Sequence, residues 1–440
     1  RGDSSTFMGG RDRDNPLQGL CQGNGAAPAC WLMISSLLMH CYQHKGFGSR
    51  ILSPISSTII DFLGEIYVDD TDLIVTRPDL TTASAVHEEL QKSARACATG
   101  LNATGGALNP DKCKWILADY CWTDGKMSYA AQPDLNIEIP LPNGDTARIS
   151  QGEVSTAEKA LGIWSSIDGN DEAHIQHNVT DRVEKWINKM RNGHLPAKLG
   201  WIAYRFKLWA GVRYGLAVLA TPLSAAAGVL KKQNYRLLPF LGVNRNVKQE
   251  WRMIHRAFGG IGLLSFPVEQ TIGMINMFVQ HFESGTTLAK KFSATLETLQ
   301  LEIGCTGNPL LENYENLGIL ATPSWIKSFW ERLQFYHFEI HMEYPQLPFP
   351  RRNDALIVSI ILNAGYKGDE LASLNRCRIA NKMLFLSDIA TACGRLVECT
   401  LLGPVGLWLG PRSTLHFPCE KPSAKDWSLW KNFWIAYSGA

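Results

Sequence analysis

Apolar residues keep two different rhythms along this chain. Up to about residue 165 they come in short runs broken by Gly, Pro, Asn and Asp; from about 170 they recur at helical spacing. This predicts an α/β part followed by a helical part, with a boundary near 166–170. The stretch Glu65-Ile-Tyr67-Val-Asp69-Asp70-Thr-Asp72-Leu-Ile74 stands out, with Ile59, Ile60, Phe62 and Leu63 before it and Val75 after it. Short β-branched and aromatic runs joined by small polar residues read as a hairpin with Asp69 and Asp70 at its tip. Ala29 to Leu38 is apolar nearly all round and predicts a buried helix, entered from the Gly-rich loop Gln22 to Pro28. Thr81 to Leu101 predicts an amphipathic helix, Leu108 to Leu117 a turn entering a strand, and 116–165 several short strands. Helices are expected at 172–192, 196–219, 223–240, 246–256, 267–284, 287–302, 324–342 and 368–386, and a short one over 425–434.

Composition changes this picture little. With 440 residues, 45% hydrophobic and 19% charged, the chain is long enough for about three domains with ordinary cores. Eleven cysteines, an odd count without a CxxC pair, and no apolar leader predict reduced thiols in nucleus or cytoplasm, with no secretion. The longest apolar stretches are too short to cross a bilayer, so no membrane partner is expected. The first residue is Arg1, within a polar Gly/Asp/Arg stretch, which reads as a fragment of a longer reading frame.

Charge matters more. The net +2 hides fifteen Lys/Arg between 182 and 256, opposed only by Glu184 and Glu250, a local +13 that leaves the rest at −11. Trp186, Trp201, Tyr204, Phe206, Trp209, Tyr214, Tyr235 and Trp251 lie between these cations. Cations interleaved with rings are the footprint of phosphate contact with some stacking. The plainer alternative makes the rings core and the cations a solvated face, although solvated faces usually mix both signs. His337 and His341 lie one helical turn apart without the glutamate order of a metalloprotease, and read as an ordinary helix face.

Adjacent carboxylates repel, so Asp69 and Asp70 call for a cation. Crowded oxygen ligands suit Mg²⁺, which keeps one or two protein carboxylates and completes its shell from water and phosphates. The competing reading is a solvated acidic turn. A Gly-rich loop before a helix can bring backbone N–H groups to a phosphate or a base; otherwise it is a helix-entry turn.

Taken in order, four motifs resemble the reverse transcriptases of non-LTR (LINE-like) retrotransposons. Gly19-Leu-Cys-Gln22-Gly23-Asn-Gly-Ala-Ala-Pro28 is similar to motif B, Tyr67-Val-Asp69-Asp70 to motif C, Leu108-Asn-Pro-Asp-Lys112-Cys113 to motif D, and Leu161-Gly162-Ile163 to motif E, the primer grip. The resemblance covers about 15–165, and more loosely reaches 285. It implies an α+β fold: a partial right-hand polymerase palm (motifs B to E, 1–168), a basic helical thumb (169–285) and a mostly helical C-terminal extension (286–440). It implies an RNA-directed DNA polymerase acting on RNA template, DNA primer and deoxynucleoside triphosphates with two Mg²⁺ ions. Asp69 and Asp70 would be metal ligands, with Lys112 assisting the leaving pyrophosphate. Gln22, Gly23 and Pro28 would contact template and the nascent pair. Tyr67, Leu161 and Gly162 would lie at the primer, and Lys185, Lys189 and Arg205 at the phosphate backbone.

Two departures qualify it. Position 27 is Ala where many of these enzymes have Ser. Motif A, with its aspartate, precedes motif B in the family; Asp3, Asp12 and Asp14 lie in the loop beside motif B and are poor stand-ins, and the fingers are missing. The chain is therefore expected to bind primer–template and extend it poorly. The rival readings are a non-catalytic nucleic-acid-binding remnant or domesticated element, and an RNA-dependent RNA polymerase, against which Tyr-Val before the Asp pair speaks.

Overall fold

The helix α1 (Ala27–His44) is followed by four short strands, β1 (Ser49–Leu52), β2 (Ile59–Phe62), β3 (Gly64–Tyr67) and β4 (Asp70–Leu73). Then come α2 (Ala83–Ala103) and seven more strands: β5 (Lys114–Trp115), β6 (Tyr120–Thr123), β7 (Lys126–Tyr129), β8 (Ile137–Pro140), β9 (Thr146–Gln151), β10 (Glu158–Ala160) and β11 (Ile163–Ser165). From there the chain is helical, so the class is mixed α+β. The computed structural model describes residues 27–67, 70–76, 82–123, 126–131, 134–391, 393–404 and 414–438. Within it lie two compact units: one of Arg1–Ile51, Ile59–Cys121 and Tyr129–Thr156, the other of Leu52–Thr58, Trp122–Ser128 and Ala157–Ala440.

In the first unit α2 forms because its sequence is amphipathic and its entry is capped: the Thr82 hydroxyl accepts from the Ala85 N–H. Ala98 on its inner side is buried with Leu117 and with Trp115, Ile137, Ile139 and Ile149 of a three-stranded sheet in the order β5-β9-β8. Ile137 pairs with Ile149 across β8–β9, and burial alternates along β8, as a sheet with one covered face requires. The helix α1 departs from expectation. Leu32, Met33 and Leu37 are 67%, 69% and 65% exposed. An all-round apolar helix is buried only if every side has cover, and α1 gains cover on one side, where Tyr42 bonds Ser93 of α2.

The second unit carries the remaining helices: α3 (Glu172–His174), α4 (Asp181–Gly193), α5 (Ala197–Ala203), α6 (Trp209–Arg213), α7 (Leu223–Ala226), α8 (Lys231–Leu237), α9 (Gln249–Met253), α10 (Phe266–His281), α11 (Thr287–Ile303), α12 (Tyr314–Leu317), α13 (Trp325–Phe335), α14 (Ile357–Asn363), α15 (Gly368–Ala380), α16 (Leu386–Ile389) and α17 (Ala424–Ser438). Its apolar interior has two centres, one around Trp209, Tyr204 and Phe266, the other around Trp330, Phe329, Trp430 and Trp434.

Several expected long helices are interrupted. The 172–192 helix contains a π-turn at Ile175–Thr180 and the 196–219 helix one at Tyr204–Leu208. The second stops before Gly215 at φ +88°, and the 223–240 helix breaks at Leu230 at φ +63°. The 246–256 helix shrinks to α9. The expected 324–342 helix ends at Phe335, because His337 turns left-handed (φ +55°) and the Phe338 N–H closes onto the Leu333 carbonyl. His337 and His341 therefore do not share a helix face.

Asp426 anchors the last helix. It is buried, paired with Arg376 at 2.6 Å and bonded by Ser373 and by the Ser423 N–H. Burial alone would raise its pKa, but the bonds from Arg376, Ser373 and Ser423 outweigh that and hold the carboxyl well below the usual range. A folded carboxyl more acidic than its unfolded counterpart stabilises fully above about pH 4, and that contribution fades as pH falls further. Asp426→Asn is expected to cost about 2 kcal/mol at neutral pH and to leave a smaller deficit near pH 2. Thermal unfolding and amide exchange across 424–438 check both.

Candidate nucleic-acid interface and carboxylate hairpin

The hairpin β3–β4 is registered Gly64↔Leu73, Glu65↔Asp72, Ile66↔Thr71 and Tyr67↔Asp70, with Val68 and Asp69 joining the strands. Those two joining residues lie outside the described set, as does the Tyr67 side chain. Strand alternation puts Asp70 and Asp72 on one face of β4, opposite Tyr67 and Glu65. Like charges directly across a sheet are unfavourable. Partial burial first, then the Glu65 and Asp70 carboxylates, push the Asp72 carboxyl above its ordinary pKa. The hairpin is closed tightly at its base: Gly64 sits at φ +153°, and a Cβ there would come within 1.9 Å of the Asp72 carbonyl oxygen.

Glu65 and Asp72 were legible as acids but their pairing required the register. This face offers hard oxygen donors, the donor type that Mg²⁺ takes. Among the described residues no three His, Cys, Asp or Glu side chains converge as a metal site. The fit is therefore one of donor type, and Asp69 belongs to the part not described.

The other expected residues of this unit are dispersed. Pro28 is an exposed first-turn residue of α1, where its ring is tolerated; Gln22 and Gly23 lie outside the described residues. Lys112 is exposed at the end of a 3₁₀ turn, Pro110–Lys112, capped by the Asn109 side chain on the Asp111 N–H. That turn leads into β5 of the three-stranded sheet, whereas Asp70 sits on the separate β3–β4 pair.

In the second unit β10 pairs with β11 through Ala160↔Ile163, leaving Leu161-Gly162 as a two-residue turn. Both have positive φ, +52° and +85°, as a tight hairpin turn of this hand demands. Gly takes that conformation freely; for Leu161 it is strained and must be imposed by surroundings. Three bonds impose it. The Tyr214 hydroxyl donates to the Leu161 carbonyl at 2.6 Å, the Asn178 amide donates to the Gly162 carbonyl, and the Trp164 N–H donates to His174 Nδ1 at 3.2 Å. His174 is fully buried; burial pushes its imidazole below the usual pKa, the Tyr214 backbone partly offsets this, and nearby Arg182 reinforces it. It is thus a neutral acceptor at pH 7. Gly215 makes room, since a Cβ there would lie 2.7 Å from the His174 ring. Leu161 is held out 45% exposed beside the 54% exposed Tyr214 ring.

Beyond this clamp, α4 buries Val183, Trp186, Ile187 and Met190. Arg182, Lys185 and Lys189 recur at three- and four-residue spacing on its exposed side. Glu184, an acid of that helix, is drawn to Arg236 and Gln233. The outward stripe keeps its positive sign. Arg205 is half-buried in the second π-turn rather than on the stripe. The rings divide: Trp186, Tyr204 and Trp209 are core, whereas Phe206, Tyr214, Tyr235 and Trp251 are exposed.

Comparison with family models, with curated proteins and with solved structures finds no match for this chain. Among the described residues no helix is long and apolar enough to cross a membrane.

The hairpin generates a paired expectation. A raised folded-state pKa means that the Asp72 charge costs stability as pH rises above about 4. Asp72→Asn should then stabilise the metal-free protein at pH 7 by a few tenths of a kcal/mol, discounted for its exposure, and should weaken Mg²⁺-dependent stabilisation. Gly64→Ala should destabilise by about 2 kcal/mol or more. Denaturant unfolding with and without Mg²⁺ measures both; a destabilising Asp72→Asn would contradict the assigned repulsion.

Proposed function

We propose that this chain is a portion of an RNA-directed DNA polymerase of the non-LTR retrotransposon type, comprising part of a palm, a basic thumb-like segment and a helical extension. The observation that carries the reading is that the Tyr-Val-Asp-Asp sequence falls where β3 passes into β4, with Tyr67 registered against Asp70 and Glu65 against Asp72. The order of the four motifs and the cationic α4 stripe support it.

Magnesium bound at Asp69 and Asp70 would supply activation of the primer 3′-oxygen and neutralise charge on the triphosphate. The chain's own residues position the strands. Tyr67 packs beside the primer end. The rigid Leu161-Gly162 turn guides the primer, its backbone carbonyls already occupied by Tyr214 and Asn178 so that the tip cannot relax. Gln22, Gly23 and Pro28 line the template side. Lys185 and Lys189 neutralise backbone phosphates, Arg205 contributes from beneath, and Lys112 offers a proton or charge to the departing pyrophosphate.

Primer extension on an RNA template with Mg²⁺ tests this against the Asp69→Ala, Asp70→Ala double variant. The expected result is salt-dependent binding of primer–template by both proteins and weak extension that only the unsubstituted chain supports. Extension unchanged by the double substitution would overturn the assignment of these carboxylates.

A further inference from the structure

One exposed surface of the second unit is not used by the reading above. The segment 243–263 leaves the helical body after α8, carries α9, and returns at the buried Leu263. It holds Arg245, Lys248, Arg252 and Arg256 against a single acid, Glu250. Its backbone is folded back on itself: the Ile261 N–H donates to the Trp251 carbonyl at 3.0 Å, the Gly262 N–H to Ile254 at 2.9 Å and the Leu263 N–H to Arg252 at 2.8 Å. Arg252 braces the bend from within, its guanidinium donating to the Val247 and Arg245 carbonyls at 2.7 and 2.9 Å. The segment is therefore pre-shaped, and a ligand meets it without first paying to order it.

What it presents is a set of rings and guanidinium planes. Trp251 is 52% exposed and Phe258 81% exposed. The guanidinium of Arg256 lies 4.1 Å above the Trp201 ring, and those of Arg245 and Arg252 lie 5.5 and 6.0 Å from the Tyr235 ring. The stripe on α4 differs in kind: its cations are exposed but its one ring, Trp186, is buried. Cations alone suit the phosphates of a duplex, whose base faces are hidden in the stack. Exposed rings beside stacked guanidinium planes suit bases that have no partner strand, since every unpaired base offers a π-face.

We propose that the 243–263 segment is a binding platform for unpaired nucleic acid, with Trp251 and Phe258 as stacking surfaces and Arg245, Lys248 and Arg256 as phosphate contacts, separate in function from the duplex-directed α4 stripe. The inference rests on the reading of this chain as one that handles nucleic acid, and it names which strand state this part of the surface takes. The same rings and cations on an anionic membrane surface are the competing occupant. Against that, Arg245 and Arg256 are laid against the Tyr235 and Trp201 rings, which leaves outer N–H edges for a phosphate beside a stacked base but keeps both side chains from reaching into a headgroup layer.

The test uses the full chain and fluorescence anisotropy with three probes: a labelled unstructured 20-mer as RNA, the same sequence as DNA, and an RNA–DNA duplex of equal length. Trp251→Ala with Phe258→Ala should weaken binding of the single strands about tenfold or more, given ordinary stacking energies per base, while duplex binding changes less than about twofold. Lys185→Ala with Lys189→Ala should weaken the duplex more than the single strands. Trp251→Phe should restore most single-strand affinity, which separates stacking from disturbance of the loop. The RNA and DNA arms show whether the sugar is read as well.

Three results would overturn the proposal. One is single-strand affinity unchanged by removing both rings, with duplex binding intact; the nucleic-acid reading would then survive without this platform. Another is equal loss for duplex and single strand. The third is ring-dependent binding to anionic phosphatidylserine vesicles with no ring-dependent binding of either oligonucleotide. If the unsubstituted chain binds none of the three nucleic acids in a salt-dependent way, the proposed function falls together with this inference.

Discussion

The clamp on the Leu161-Gly162 turn is the constraint around which the helical unit is arranged. Leu161 is kept in a left-handed conformation by bonds from Tyr214 and Asn178, and the adjoining strand by a bond to His174. His174 and Asn178 come from one helical stretch and Tyr214 from the end of another. The π-turn over Ile175–Thr180 widens the helix between His174 and Asn178, and Gly215 ends the next stretch just past Tyr214. Single π-turns are uncommon and gather at functional sites. Here two follow the turn, at Ile175–Thr180 and Tyr204–Leu208, the second carrying Arg205. A ligand approaching this face therefore meets a tip whose position is set by the helical body behind it.

Electrostatics runs in opposite senses at the two candidate sites. On the β3–β4 hairpin Glu65, Asp70 and Asp72 share one face, and partial burial, then the Glu65 and Asp70 carboxylates, raise the Asp72 pKa. On α4 the outward charge is positive because Glu184 is held by Arg236, and the 243–263 segment carries four Lys/Arg against the single Glu250. The chain keeps the two sets on separate elements.

Much of this was legible from the sequence, and the limits are instructive. The acids of the 65–74 stretch, α2 and the cationic run follow from local pattern, because period and charge act within a few residues, whereas Leu161-Gly162, read as part of a strand, is a turn. What pattern could not supply was tertiary. The exposure of Leu32, Met33 and Leu37 depends on whether anything covers α1, and apolarity alone does not say so. The breaks at Leu230 and His337 place non-glycine residues at positive φ, which no propensity anticipates. The roles of His174, Asn178 and Tyr214 arise from contacts between segments. The i,i+4 spacing of His174 and Asn178 just after the turn is the one local signal that could have drawn attention to them. Among the eight interleaved rings, only burial separates Trp186, Tyr204 and Trp209 from Phe206, Tyr235 and Trp251.

The proposed function requires that this chain meet a polyanionic strand through its cationic helical surface. The most direct measurement is the salt dependence of primer–template affinity, for the unsubstituted chain and for Lys185→Ala with Lys189→Ala. The account predicts a linear fall of log affinity with log salt, and a slope shallower by about one to two in the double variant, as each lost phosphate contact removes about one. An affinity insensitive to salt, or a slope the two substitutions leave unchanged, would contradict it.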